Sequence, residues 1–93
     1  MNWEDTLKNY ESHITYVDRK STQTINNYLN DLKHYSQFFI ELKVNPDEIK
    51  TKQINEYLQE VNNRCANSTV LRTKTSIVSF HKFLSQYYKL KLN

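Results

Sequence analysis

STQTINNYLNDLKHYSQFFIEL, residues 21–42, places apolar side chains at Ile25, Tyr28, Leu29, Leu32, Tyr35, Phe38, Phe39 and Leu42. That three-and-four spacing lines one face of an α-helix and offers a surface for the rest of the chain to pack on. Ser21 suits the N-cap, where its hydroxyl can accept an orphan backbone N–H. The opposite face carries Gln23, Asn26, Asn27, Asn30, Lys33 and Gln37. An ordinary solvated helix would alternate Glu with Lys there, so this amide-rich face is a candidate for contact with a polar partner.

On the N-terminal side, Trp3, Leu7, Tyr10, Ile14 and Val17 step by four, three, four and three, one apolar seam on a first helix of about four turns. Glu4 and Asp5 suit its N-terminal dipole. The short link Asp18-Arg19-Lys20 makes the first and second helices neighbours. On the C-terminal side, Asn45-Pro46-Asp47-Glu48 has the elements of a capping box around one short turn near residues 46–50. A third, short helix opens at Thr51, with Ile54, Tyr57, Leu58 and Val61 on one stripe. The run Asn62 to Asn67 then reads as a turn. The chain has no glycine, so Asn62, Asn63 or Asn67 is expected to take its left-handed position. A last helix opens at Asn67 or Ser68 and runs to about Tyr88. Leu71, Ile77, Val78, Phe80, Leu84, Tyr87 and Tyr88 are available for packing, and a polar stripe runs along Thr69, Arg72, Thr73, Ser76 and Ser79.

These elements predict an all-α bundle of four main helices in a single domain, 1–93. A chain of this length buries roughly 60–65% of its unfolded surface, enough for one modest core. Seven Tyr and four Phe at helical spacing make that core aromatic. Cys65, the single cysteine, cannot form an internal disulfide, and the N-terminus has neither a basic n-region nor an apolar h-region. With no apolar run near the ~20 residues of a membrane span, a cytoplasmic protein without a membrane partner is expected.

The net charge of +3 conceals a division. Residues 1–60 hold seven Lys/Arg and all ten Asp/Glu, whereas residues 61–93 hold six Lys/Arg and no acid. A cationic third set among Ser, Thr and Asn points to nucleic acid ahead of acidic lipid; a merely solubilising basic surface is the alternative. The second and fourth helices both open on hydroxyl residues in acid-poor turns, an arrangement that lets phosphate oxygens approach backbone N–H groups. The same residues would also serve as plain helix caps. Candidate DNA contacts are therefore Lys20, Ser21, Thr22, Gln23, Thr24 and Asn27 on the second helix, and Ser68, Thr69, Arg72, Thr73, Lys74 and Ser76 on the fourth. Lys20, Arg72 and Lys74 suit phosphates, and Gln23, Asn27 or Arg72 can read base edges.

Three stretches in order carry a family resemblance. They are Ser21-x-x-Thr24-x-x-x-Tyr28-x-x-Asp31-Leu32 with Phe38, then Ile49 with Ile54 and Tyr57-Leu58, then Ser68-Thr69-Val70-x-Arg72 with Ile77, Phe80, Phe83 and Leu84. Together they span nearly all of the chain, which resembles the N-terminal SAM-like core-binding domain of tyrosine recombinases and phage integrases. The resemblance implies a four-helix bundle that clamps duplex DNA near the crossover site together with a catalytic domain expected C-terminal to it and absent from this chain. It maps Thr24, Asn27, Thr69, Arg72 and Thr73 to the DNA face, and it implies three partners: double-stranded DNA, the catalytic domain of the same protein, and sister protomers. The chain departs from the family in lacking glycine before the second and fourth helices, and in having Ser79 where a basic residue is frequent.

Catalysis by this domain is not expected. Tyr28, Tyr35, Tyr57 and Tyr87 lie on apolar stripes and read as core. A recombinase site needs an Arg and a His-x-x-Arg to stabilise the phosphorane, but His13, His34 and His81 precede Tyr16, Gln37 and Leu84 at that spacing. One cysteine and three dispersed histidines give no metal-ligand spacing, and a chain without glycine has no phosphate-binding loop, so neither a metal nor a cofactor is expected. The function expected is DNA binding for recombination and integration. The alternative is a protein-interaction module docking through the aromatic segment Phe83 to Leu92, and RNA binding is a third, weaker option because no exposed aromatic platform is evident.

Overall fold

The computed structural model describes residues 1–90 and is all-α, with four main helices: α1 (Trp3–Ser12), α2 (Thr22–Glu41), α3 (Thr51–Arg64) and α4 (Asn67–Tyr87). The segment proposed for partner docking, Phe83 to Leu92, ends outside the described residues at Lys91 and Leu92.

α1 starts at Asn2, whose side chain accepts the Asp5 N–H at 2.8 Å. It does not continue as a regular helix to Val17. Residues His13–Val17 form a π-helical turn closed by Asp18 N–H donating to the His13 carbonyl at 3.0 Å. The wider turn breaks the three-and-four spacing, so the seam ends at buried Ile14 and Val17 points to solvent. α2 begins as read: Ser21 Oγ accepts the Thr24 N–H at 3.2 Å. Its buried face is Leu32, Tyr35 and Phe39, while Leu42, one residue past the last turn, is half exposed. The short turn Pro46–Glu48 is a 3₁₀ helix in which Asn45 N–H donates to Glu48 Oε1 at 2.9 Å. α3 opens at Thr51 and runs through Asn62 and Asn63 to Arg64, longer than its apolar stripe suggests.

The α3–α4 turn needs no left-handed asparagine. Two extended residues, Cys65 (φ −130°, ψ 159°) and Ala66 (φ −67°, ψ 157°), make it. Positive φ falls instead on Arg19, Lys43 and Lys89, just beyond the other helices. Lys43 sits in the usual left-handed C-terminal position: its N–H donates to the Ile40 carbonyl and that of Val44 to the Phe39 carbonyl. Without glycine, each such position costs about 1 kcal/mol.

The core is an aromatic stack. Trp3 lies flat against Phe39 of α2 and Phe80 of α4, and Tyr35 meets them edge-on. α4 turns Thr73, Ser76, Ile77, Phe80 and Leu84 inward. Leu71 and Val78, expected to pack, lie on the opposite side of the helix at 66% and 60% exposure, and Tyr87 is exposed as well. Small Thr73 and Ser76 on the inner face let α2 come close to α4.

Three tyrosines are buried, and burial raises the pKa of each: Tyr10 and Tyr57 to about 12, Tyr35 further. Tyr35 Oη lies 2.7 Å from His81 Nε2. Burial lowers the His81 pKa from 6.5 to about 4, so the ring is neutral, and in the tautomer protonated at Nδ1 its Nε2 accepts a hydrogen bond from the Tyr35 hydroxyl. Below pH 6.5 the unfolded chain takes up a proton that the folded chain refuses. The stability held by neutral His81 is therefore full above pH 6.5 and drains as pH falls toward about 4. Between pH 7 and pH 5 the wild type should lose about 2 kcal/mol more than His81→Gln, which still accepts from Tyr35 but cannot titrate. Urea melts at both pH values measure the difference; equal losses would refute the assignment.

Candidate nucleic-acid interface

α2 and α4 meet at a buried carboxylate. The Asp31 side chain is 3% exposed and receives three donors. Arg72 Nε and one terminal nitrogen of its guanidinium reach the two Asp31 oxygens at 3.2 and 2.8 Å, and Ser76 Oγ donates to Oδ2 at 2.7 Å. This planar fork is the strong form of ion pair. Asp31 raises the Arg72 pKa, first by hydrogen bonding and then by charge, so the guanidinium stays cationic.

A groove opens on each side of this contact. In the first, Asn30 and His34 of α2, Arg64 at the end of α3, and Thr69 and Arg72 of α4 line a hollow of about 170 Å³. In the second, Lys20 and Tyr28 face Thr75, Ser79 and Lys82 of α4 across about 270 Å³, with His13 of the π-helical turn and Asp18 just after it also lining the hollow. Both fall below the roughly 300 Å³ at which pockets for small molecules begin. Each groove carries two cations and one carboxylate: Arg64 and Arg72 with Asp31 in the first, Lys20 and Lys82 with Asp18 in the second.

The twelve residues singled out from the sequence divide accordingly. Lys20, Thr22, Gln23 and Asn27 are exposed on the loop and first turns of α2. Ser21 is exposed, but its hydroxyl is engaged with Thr24, which is itself half-buried. Ser68 is exposed and does not cap α4; Ala66 holds that position, with no side chain on the first N–H groups. Thr69 and Arg72 line the first groove. Thr73 and Ser76 are buried at 4% and 0%, which removes them from direct contact: both turn toward α2 and the core. Lys74, two residues and more than half a turn from Arg72, lines the groove with Thr51, Asn55 and Leu58 of α3, away from Asp31.

Arg64, His34, Thr75 and Lys82 join the site only in the structure. Lys82 was within reach of pattern reading, because Arg72, Thr75, Ser79 and Lys82 step by three, four and three. Arg64 had no such signal, since its place beside Arg72 depends on the turn at Cys65 and Ala66.

The family described as phage integrase, N-terminal SAM-like domain, matches residues 7–87. The chain is 30% identical over 84 residues to a tyrosine recombinase of Pseudothermotoga lettingae, covering 87% of this chain and 29% of that protein. It is 27% identical over 88 residues to the tyrosine recombinase XerC of Treponema denticola, covering 90% of this chain and 29% of that protein. The chain thus spans 29% of the length of each of these relatives. No solved structure matches it significantly. Among the described residues, no helix is long and apolar enough to cross a membrane.

Proposed function

Because the chain belongs to the phage integrase N-terminal SAM-like domain family, we propose that it is the DNA-binding domain of a site-specific tyrosine recombinase, holding the duplex near the crossover site while a catalytic domain C-terminal to it performs the chemistry. The observation that carries this reading is the pair of basic grooves flanking the Asp31–Arg72 contact. Arg64 and Arg72 in one groove, and Lys20 and Lys82 in the other, offer four cations to phosphates, while Asn30 in the first groove and the exposed Gln23 and Asn27 of α2 can reach base edges. Burial of Tyr10, Tyr35 and Tyr57 in the core supports a structural role for these phenols. A cytoplasmic setting goes with this reading.

A second surface suits protein. Tyr16, Val17 and Tyr87 form an exposed apolar patch at the far ends of the π-helical turn and α4, adjoining the second groove at His13. It supports contact with a sister protomer or with the catalytic domain.

With only about four phosphate contacts, the isolated domain should bind duplex DNA at about micromolar Kd or weaker, and more weakly as salt rises. An NMR titration with a short duplex should shift amides at residues 20–30, 64–72 and 75–82, and added salt should reverse the shifts. Arg64→Ala and Lys82→Ala should each weaken binding about threefold to tenfold and reduce the salt slope by about one, while Lys52→Ala, outside both grooves, changes neither. Equal behaviour of all three variants would remove the grooves from the site. If no amide moves even at low salt, the apolar-patch reading takes precedence.

A further inference from the structure

We infer that Asp31, an acidic residue, promotes binding of the polyanion by acting as a positioning residue for Arg72. This inference rests on the DNA-binding reading above. A guanidinium has five N–H donors in one plane. Two of the five from Arg72 are committed to Asp31, and the carboxylate is in turn fixed by the Ser76 hydroxyl. The clamp sets the plane of the fork and leaves three N–H donors, two of them side by side on its outer edge.

Burial is divided unevenly across the pair. The Asp31 side chain touches the wall of the groove but is 3% exposed, whereas the Arg72 side chain is 47% exposed and opens into the groove shared with Asn30, Arg64 and Thr69. An approaching phosphate or guanine edge therefore meets oriented donors and little of the carboxylate, which is almost wholly buried. A free arginine would have to lose its rotamer freedom on binding; this one has lost it on folding. Bidentate recognition depends on the plane of the fork as well as on its charge, so fixing the plane is what Asp31 supplies.

The inference runs against simple electrostatics, which makes it testable. Asp31→Asn adds one unit of positive charge to the domain. If Asp31 only repels phosphate or only braces the fold, the folded variant should bind DNA as well as the wild type or better. As a positioning residue, its loss should weaken binding about tenfold. The salt slope should stay unchanged, because Arg72 keeps its charge and the number of cationic contacts is the same.

The experiment is fluorescence anisotropy of a labelled mixed-sequence duplex of about 20 base pairs, with the 93-residue chain as wild type, Asp31→Asn and Arg72→Lys. Folding of each variant is first checked by a cooperative thermal melt. Arg72→Lys keeps the charge and loses the fork, so it should fall with Asp31→Asn, again at an unchanged slope. An Asp31→Asn protein that is folded and binds as tightly as the wild type, or more tightly, overturns the inference while leaving the proposed function standing. If Asp31→Asn does not fold, Arg72→Lys decides, and unchanged affinity there overturns the inference. A wild type that gives no anisotropy change at low salt brings down the DNA-binding reading and this inference with it.

Discussion

Trp3→Ala is expected to lower the unfolding free energy by about 4 kcal/mol, with a reduced urea midpoint at an unchanged m-value. The indole is only 6% exposed and lies between two rings, 6.1 Å from Phe39 and 5.7 Å from Phe80, each tilted by 19°. Tyr35 closes the third side edge-on at 6.1 Å. These rings are rigid and cannot collapse into the space a tryptophan leaves, so the cavity persists and the loss lies toward the upper end for aromatic truncation. The indole N–H also donates to the Val44 carbonyl at 2.9 Å, tying α1 to the chain beyond α2. A domain of this size has roughly 5–14 kcal/mol to lose, so a large share of its stability rests on the third residue. Trp3→Phe keeps one ring in the stack and gives up the hydrogen bond, and should cost about half as much. A Trp3→Ala protein within about 1 kcal/mol of wild type would show that the stack is not the core. The functional consequence follows from the rings involved. Phe39 and Tyr35 belong to α2 and Phe80 to α4, so Trp3 is the wedge that spaces the two helices bearing both grooves.

The helices were legible because their signals are local. Ser21, the Ile25 to Phe39 seam and the Asn45-Pro46-Asp47-Glu48 turn are readable from spacing and capping chemistry alone, and the structure forms each of them. What the sequence hid depends on geometry between elements. Val17 continues the seam on paper, but one π-helical turn rotates it into water. Leu71 and Val78 look like core and face solvent, while Thr73 and Ser76 look like a polar surface and face the core. α4 packs on the face that lets α2 approach most closely, and hydrophobicity is a weaker constraint there than size and hydrogen bonding. The candidate site follows the same division. Lys20, Gln23 and Asn27 are exposed on α2 as their positions on its polar face require. Arg72 reads from the sequence as a phosphate or base contact, and its tie to Asp31 across 41 residues of sequence could not be inferred from either residue alone.

That tie makes the two single substitutions of the pair unequal. Arg72→Ala should cost about 3 kcal/mol, because it leaves the Asp31 carboxylate buried with only Ser76 as a partner. Removing the carboxylate instead leaves a guanidinium that is 47% exposed and can turn to water, so Asp31→Asn should cost about 1 kcal/mol. The double variant Asp31→Leu with Arg72→Met removes both charges and fills the space with apolar atoms; it should recover most of the loss of Arg72→Ala, although it retains no ionic contact between α2 and α4. Urea denaturation of the three variants checks this order, and a double variant less stable than Arg72→Ala would contradict it. The order bears directly on binding measurements. Arg72→Ala lowers both stability and any DNA affinity, so a loss of binding in that variant alone cannot separate a missing contact from a loosened α2–α4 junction. The double variant can: if it is restored in stability but binds DNA no better than Arg72→Ala, the binding loss belongs to the guanidinium and not to the fold.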